Sequence, residues 1–258
     1  MLNKSYNYRS YPITAVLGVL LLFGGCTGMN AEQNAKVAEA KREIGEAYMR
    51  QGDYTSALRE LMQAEKLNPE DPIVQNDLGL CYMAKEHMAD ALAHFNKAIA
   101  LNPSYAPARN NLGTAYLALK EWDAAIKVFK EITKDILYAS PHYPLTNLGL
   151  AYYHKGQYQT ALKYYKEALK LQEDFVIALR GAGRTYIAMN QGKSALRYLK
   201  RAVKLAPKSA ETHFDIAEAY LLTGNPVQAK ISYESAIDLS APESDIAAKA
   251  KQRLKSFR

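Results

Sequence analysis

The chain has 258 residues, 48% hydrophobic and 10% aromatic, enough apolar material to bury a continuous core in one extended domain and to exclude a disordered chain. Its formal net charge is +7, and 31 basic and 26 acidic side chains remain once residues 1–25 are set aside. Cations stand among Glu and Asp, as in Lys163, Lys166, Glu167 and Lys170, which reads as solvated helix surface and against a nucleic-acid footprint.

At the N-terminus, Lys4 and Arg9 precede an apolar run, 13–23, that stops at Gly24-Gly25-Cys26. This is the layout of a secretion signal, because the run has 11 residues and a spanning helix needs roughly 20. The stretch Leu21-Leu22-Phe23-Gly24-Gly25-Cys26 resembles the lipobox of bacterial lipoproteins, with Phe23 where that pattern prefers leucine. The resemblance implies that the signal peptide, 1–25, is removed. It also implies that Cys26 carries acyl chains such as palmitate, whose buried methylenes contribute about 0.8 kcal/mol each. Thr27 follows, and not the aspartate that typically retains such lipoproteins in the inner membrane. An outer-membrane anchor on the periplasmic face is implied. Residues 26–37, polar and alanine-rich, read as the tether.

From residue 38 the sequence repeats itself. Tyr48, Tyr82, Tyr116, Tyr152, Tyr186 and Tyr220 recur at intervals of 34, 34, 36, 34 and 34 residues. Just before each stands an apolar residue and a small one: Ile44-Gly45, Leu78-Gly79, Leu112-Gly113, Leu148-Gly149, Ala182-Gly183 and Ile216-Ala217. Nine residues after each comes an alanine, at 57, 91, 125, 161, 195 and 229, and four further on Leu61, Phe95, Phe129, Tyr165, Leu199 or Tyr233. Each unit predicts two helices joined by a short turn, often with glycine (Gly52, Gly156, Gly224), and closed by a breaker such as Asn68-Pro69, Asn102-Pro103 or Ala206-Pro207.

This pattern resembles the tetratricopeptide repeat, although the consensus tryptophan of the first helix is replaced throughout, by Lys41, Gln75, Arg109, Leu145, Leu179 and His213. The resemblance implies an all-α, right-handed α-solenoid of six repeats, 38–71, 72–105, 106–141, 142–175, 176–209 and 210–242. Residues 243–258 follow as a capping helix in which Ile246 and Leu254 can pack on the sixth unit. Trp122 starts a second helix where Tyr54 and Tyr158 stand in other copies, a packing position. Cys81, beside Leu80, reads as a small core residue.

No chemistry emerges. The histidines, His87, His94, His142, His154 and His213, include no pair three or four apart, so no metal site is expected. There is no phosphate loop, nucleophile elbow or strand pattern to carry one. Glu70-Asp71 and Glu173-Asp174 fall in inter-repeat turns. The expectation is no enzyme, no cofactor and no small-molecule substrate.

What remains is a binding surface. In the family resembled, first helices line the concave face, and slots one, four, eight and eleven residues after each unit start point into it. From starts at Ala38, Pro72, Ala106, His142, Val176 and Ala210, these slots hold Ile73, Asn76, Leu80 and Met83 in the second unit and Asn110, Thr114 and Leu117 in the third. They hold Tyr143, Thr146, Leu150 and Tyr153 in the fourth, and Ile177, Arg180, Arg184 and Ile187 in the fifth. One reading is a partly apolar peptide groove, with Leu80, Met83, Leu150 and Tyr153 taking apolar side chains and Asn76, Asn110 and Arg184 the polar groups. The other is that some of these residues pack neighbouring helices. The lysines and asparagines of a two-carboxylate clamp are mostly missing.

The longer interval falls at Asp135-Ile136-Leu137-Tyr138-Ala139-Ser140-Pro141-His142-Tyr143-Pro144. A lipoprotein signal, six repeats and this insertion together resemble the type IV pilus biogenesis lipoproteins, the pilotins of the pilus secretin. That resemblance implies binding to secretin subunits and their outer-membrane delivery and assembly. An envelope adaptor recruiting peptidoglycan hydrolases or proteases, or a polysaccharide-export scaffold, is the alternative.

Overall fold

The computed structural model describes residues 14–135 and 138–257, with side chains from Asn30 onward. Among the described residues there are thirteen α-helices and no strand. Contact density divides the chain into two compact units, one up to Leu101 and one from Asn102. The first unit holds α1 (Thr14–Arg50), α2 (Tyr54–Leu67), α3 (Pro72–Ala84) and α4 (Met88–Leu101). The second holds α5 (Ala106–Ala118), α6 (Trp122–Thr133), α7 (His142–His154), α8 (Tyr158–Leu171), α9 (Val176–Ala188), α10 (Gly192–Leu205), α11 (Ala210–Leu222), α12 (Pro226–Asp238) and α13 (Asp245–Leu254).

Consecutive helices pack in pairs, and the repeating residues say why. The alanines at 57, 91, 125, 161, 195 and 229 are fully buried, as are Leu61, Phe95, Phe129, Leu199 and Tyr233, with Tyr165 2% exposed. Each large side chain lies against the small residue of its partner helix. A Cβ built on Gly79 would meet the Phe95 ring at 2.5 Å, one on Gly113 the Phe129 ring at 2.6 Å, and one on Gly149 the Tyr165 ring at 2.8 Å. At these three positions the missing side chain leaves room for the buried ring, whose burial contributes roughly 1.5–3 kcal/mol.

The helix ends are fixed locally. Asp71 caps α3 by accepting the Ile73 and Val74 N–H groups, with Pro72 pre-set for the first turn. Ser209, Asn225 and Ser244 cap α11, α12 and α13 in the same way. Every pair turns through one left-handed residue: Gly52, Glu86, Lys120, Gly156, Asn190 or Gly224. Three of the six are not glycine, so this turn tolerates the strain.

Residues 26–37, the expected tether, lie inside α1. Their alanines and a Glu32–Lys36 pair at 2.6 Å favour helix, and the side chains from Asn30 to Val37 are exposed. The Cys26 side chain and residues 1–13 lie outside what is described. Among the described residues no helix is long and apolar enough to cross a membrane. Trp122 is half-buried and stacks on His154 at 4.6 Å. The Cys81 thiol is buried and its pKa is pushed up to about 12, by burial first and then by Asp77. Helix α13 closes the second unit, Ile246, Leu254 and Phe257 packing against the cluster around Ala217 and Tyr233.

The two-residue insertion is absorbed unevenly. Helix α6 has 12 residues where α2, α4, α8 and α10 each have 14. The connection to α7, 134–141, is correspondingly long. Ile136 and Leu137 lie outside the described residues. Tyr138 packs back onto the α6–α7 core, and Arg109 of α5 pairs with Asp135 at 2.7 Å.

Two glycine substitutions separate the two constraints. Gly79→Ala drives a Cβ into a buried ring and is expected to cost about 1–3 kcal/mol in urea unfolding. Gly156→Ala meets no atom within 4 Å and is expected to cost about 1 kcal/mol through its left-handed backbone alone. Equal losses at the two positions would contradict the close-crossing account.

Candidate binding surface

The slot residues fall into separate groups. In the first unit, Leu80 and Met83 are half-buried and share a hollow of about 360 Å³ with Met49, Arg50, Tyr54 and Ala84. Ile73 sits half-buried in the first turn of α3 and is not part of it. Asn76 is buried, and its amide donates to Asp77 Oδ1 at 3.2 Å, so it does not present itself to a ligand.

In the second unit, Leu150, Arg180 and Arg184 line a hollow of about 390 Å³ together with Thr146, Val176, Ile177, Gly181, Thr212 and others. Tyr153 joins them through its ring, 5.2 Å from the Arg184 guanidinium. Asn110 and Tyr143 belong to a different hollow, of about 550 Å³, beside Asp135, Tyr138 and Ser140 of the insertion. Tyr143 is 47% exposed and packs edge-on to Phe175 at 5.2 Å. Leu117 packs on the α6–α7 core instead of lining a hollow.

Behind the wall of the α7–α9–α11 hollow stands a residue that the slots missed. Asp215, 7% exposed on α11, accepts from Arg180 Nε at 2.6 Å, and Arg184 Nε lies 4.0 Å away. Burial raises the Asp215 pKa, and Arg180 and then Arg184 oppose it. The carboxylate thereby fixes the Arg180 guanidinium on one wall of the hollow and attracts Arg184 at longer range, while Leu150, Val176 and Ile177 supply apolar wall. Its signal in the sequence was an aspartate in mid-helix, a position that disfavours helix unless a partner holds the side chain. Gly181 was also missed. It leaves room for the Tyr165 ring, which reaches from α8 to the floor of the hollow.

Asp77 is the counterpart in the first unit. It is 6% exposed, and its Oδ2 has no hydrogen-bond partner among the described residues. Its pKa is pushed up to about 7, first by burial and then by Glu46, while Asn76 and Arg42 pull it down. Among the described residues no three His, Cys, Asp or Glu side chains cluster as metal ligands would.

Tetratricopeptide-repeat signatures match residues 42–106 and 143–175, and a third matches 82–137 and 191–254. These helix pairs are tetratricopeptide repeats. None of the curated proteins matches the sequence. Among solved structures, the tetratricopeptide fold here is similar to PilW, described as a widely conserved type IV pilus biogenesis factor. Identity is 22%, coverage 83% of this chain and 97% of PilW, and the TM-score 0.75. It is also similar to PilF of Pseudomonas aeruginosa, at 17% identity, with 88% and 100% coverage and a TM-score of 0.74. YrrB, a tetratricopeptide protein described as having an unusual peptide-binding site, gives 22% identity, 74% and 97% coverage and a TM-score of 0.53. At these identities the likeness is one of fold.

Asp77 gives the repeats a testable pH dependence. Its folded pKa lies above the unfolded value near 4, so its contribution is complete below that value and is lost as pH rises through about 7. The midpoint of thermal unfolding is expected to drop by on the order of 5 °C between pH 5 and pH 8. Asp77→Asn should remove most of that drop; an equal drop in the variant would mean that another group carries it.

Proposed function

We propose that this chain is a non-enzymatic, protein-binding lipoprotein that acts as a pilotin. Anchored through Cys26 in the outer membrane, it binds subunits of the type IV pilus secretin and promotes their localisation and assembly. The observation that supports this reading best is the likeness to PilW, which covers 83% of this chain and 97% of PilW and not just a few shared repeats. The lipobox-like stretch before Cys26 and the insertion at 135–144 support it from the sequence. The binding chemistry fits a peptide segment. Leu150, Val176 and Ile177 offer apolar contact, and Arg180, held by Asp215, and Arg184 beside it offer donors to carbonyl or carboxylate oxygens.

A deletion strain complemented by variants tests the proposal. Deletion should leave secretin monomeric and pili absent, and the wild-type gene should restore both. Cys26→Ala should fail to restore outer-membrane fractionation. Leu150→Glu should fold, as judged by circular dichroism, yet bind the partner at least about tenfold more weakly. Normal secretin multimers in the deletion strain would refute the pilotin reading.

A further inference from the structure

The charge of this chain is not evenly spread. Between Tyr158 and Lys208 stand eleven basic and three acidic side chains, an excess larger than the net +7 of the whole chain. Much of it lies on α8 and α10. Lys163, Lys166 and Lys170 recur at helical spacing, and Lys193, Arg197, Lys200 and Lys204 do so on α10, which has no acidic residue. Buried Ala195, Leu199 and Ala202 make the opposite side of α10, so its cations form one outer stripe about 16 Å long at 1.5 Å per residue.

Aromatic rings join the stripes. The Lys130 ammonium lies 5.7 Å from the Tyr152 ring, which stacks on Tyr164 at 5.4 Å. One repeat on, Lys166 lies 5.6 Å from Tyr186, which stacks on Tyr198 at 5.5 Å under Arg197. Lys200 stands 5.4 Å from Tyr220. Some other cations of this unit are paired, Lys134 with Glu131 and Lys155 with Asp123. Among the described residues, however, Lys166, Lys170, Lys193, Arg197, Lys200 and Lys204 have no carboxylate partner.

We propose that this face docks on an anionic lipid surface, the cations meeting phosphate head groups and Leu171 and Leu205 entering the boundary beneath them. Those leucines end α8 and α10 beside Lys170 and Lys204 and are 57% and 43% exposed. Cations flanked by exposed leucines and by tyrosines that are half-buried, apart from the buried Tyr186, suit the layered polarity of a bilayer surface. An acidic protein would use the charge and leave the leucines without a role. Single-stranded nucleic acid would need open ring faces, and here the rings face one another or lie under cations. The proposal is independent of the pilus and of Cys26.

Vesicle partitioning of the full chain tests it. Partition coefficients are measured on phosphatidylcholine vesicles and on vesicles with 30% phosphatidylglycerol, so that any uncharged N-terminal attachment cancels in their ratio. In 50 mM salt the wild-type ratio is expected to be about a hundredfold, and 500 mM salt should bring it near one. Lys166→Glu/Lys170→Glu/Lys200→Glu/Lys204→Glu should abolish the preference. Lys170→Glu/Lys193→Glu/Lys204→Glu, which disturbs no ring contact, should abolish most of it. Lys36→Glu/Arg59→Glu/Lys66→Glu/Lys85→Glu, equal in charge change, should keep it. A wild-type ratio near one, a preference retained in both ridge variants, or one lost equally in the control overturns the proposal. So does ridge-dependent binding of a fluorescent glutamate-rich peptide without lipid preference, which would make the occupant an acidic protein.

Discussion

The architecture depends on one close approach, repeated: a residue with little or no side chain on a first helix against a ring or leucine on the second. Where Gly79, Gly113 and Gly149 lack a Cβ, the rings of Phe95, Phe129 and Tyr165 occupy the vacated space. Once that crossing is fixed, the distances along each helix to the turn and to the next pair are fixed as well, and a constant sequence period follows. The sixth unit keeps the geometry with Ala217 and a fully buried Tyr233. Its hydroxyl donates to Glu218, which also takes Arg253 from α13. The capping helix is thereby tied to the last pair by polar contacts as well as by Ile246 and Leu254.

Much of this was legible because it is local and periodic. The small residue, the buried alanine and the ring recur at constant offsets, and Asp71-Pro72 or Ser209 mark helix starts by capping chemistry. The binding surface was less legible, since a slot names a position and not a direction. Asn76 and Leu117 occupy the right slots, but one turns onto Asp77 and the other onto the α6–α7 core. Successive residues on a helix diverge by about 100°, so a small rotation of one helix exchanges a lining residue for a packing residue. Asp215 was passed over because a mid-helix acid looks like surface until its arginines, 31 and 35 residues earlier, are seen beside it. No local rule connects positions that far apart.

The insertion shows how such an array tolerates irregularity. The extra residues go into a longer connection and are drawn partly from the end of α6, leaving Ile126, Phe129 and Ile132 buried. Tyr138 then returns to the core and the Arg109–Asp135 pair holds the connection to α5. The irregular segment also walls the hollow that holds Asn110 and Tyr143, so it supplies surface that a strict repeat would lack.

The lysine–tyrosine contacts have a mechanical consequence. Lys130, Lys166 and Lys200 stand on second helices, while Tyr152, Tyr186 and Tyr220 stand on the first helices that follow. Each contact is thus a fastener between one repeat and the next, made from the same ammonium group that faces solvent. An anion that draws the ammonium off its ring exchanges a fastener for a ligand contact. Binding an anion at Lys130, Lys166 or Lys200 therefore competes with the contact between one repeat and the next.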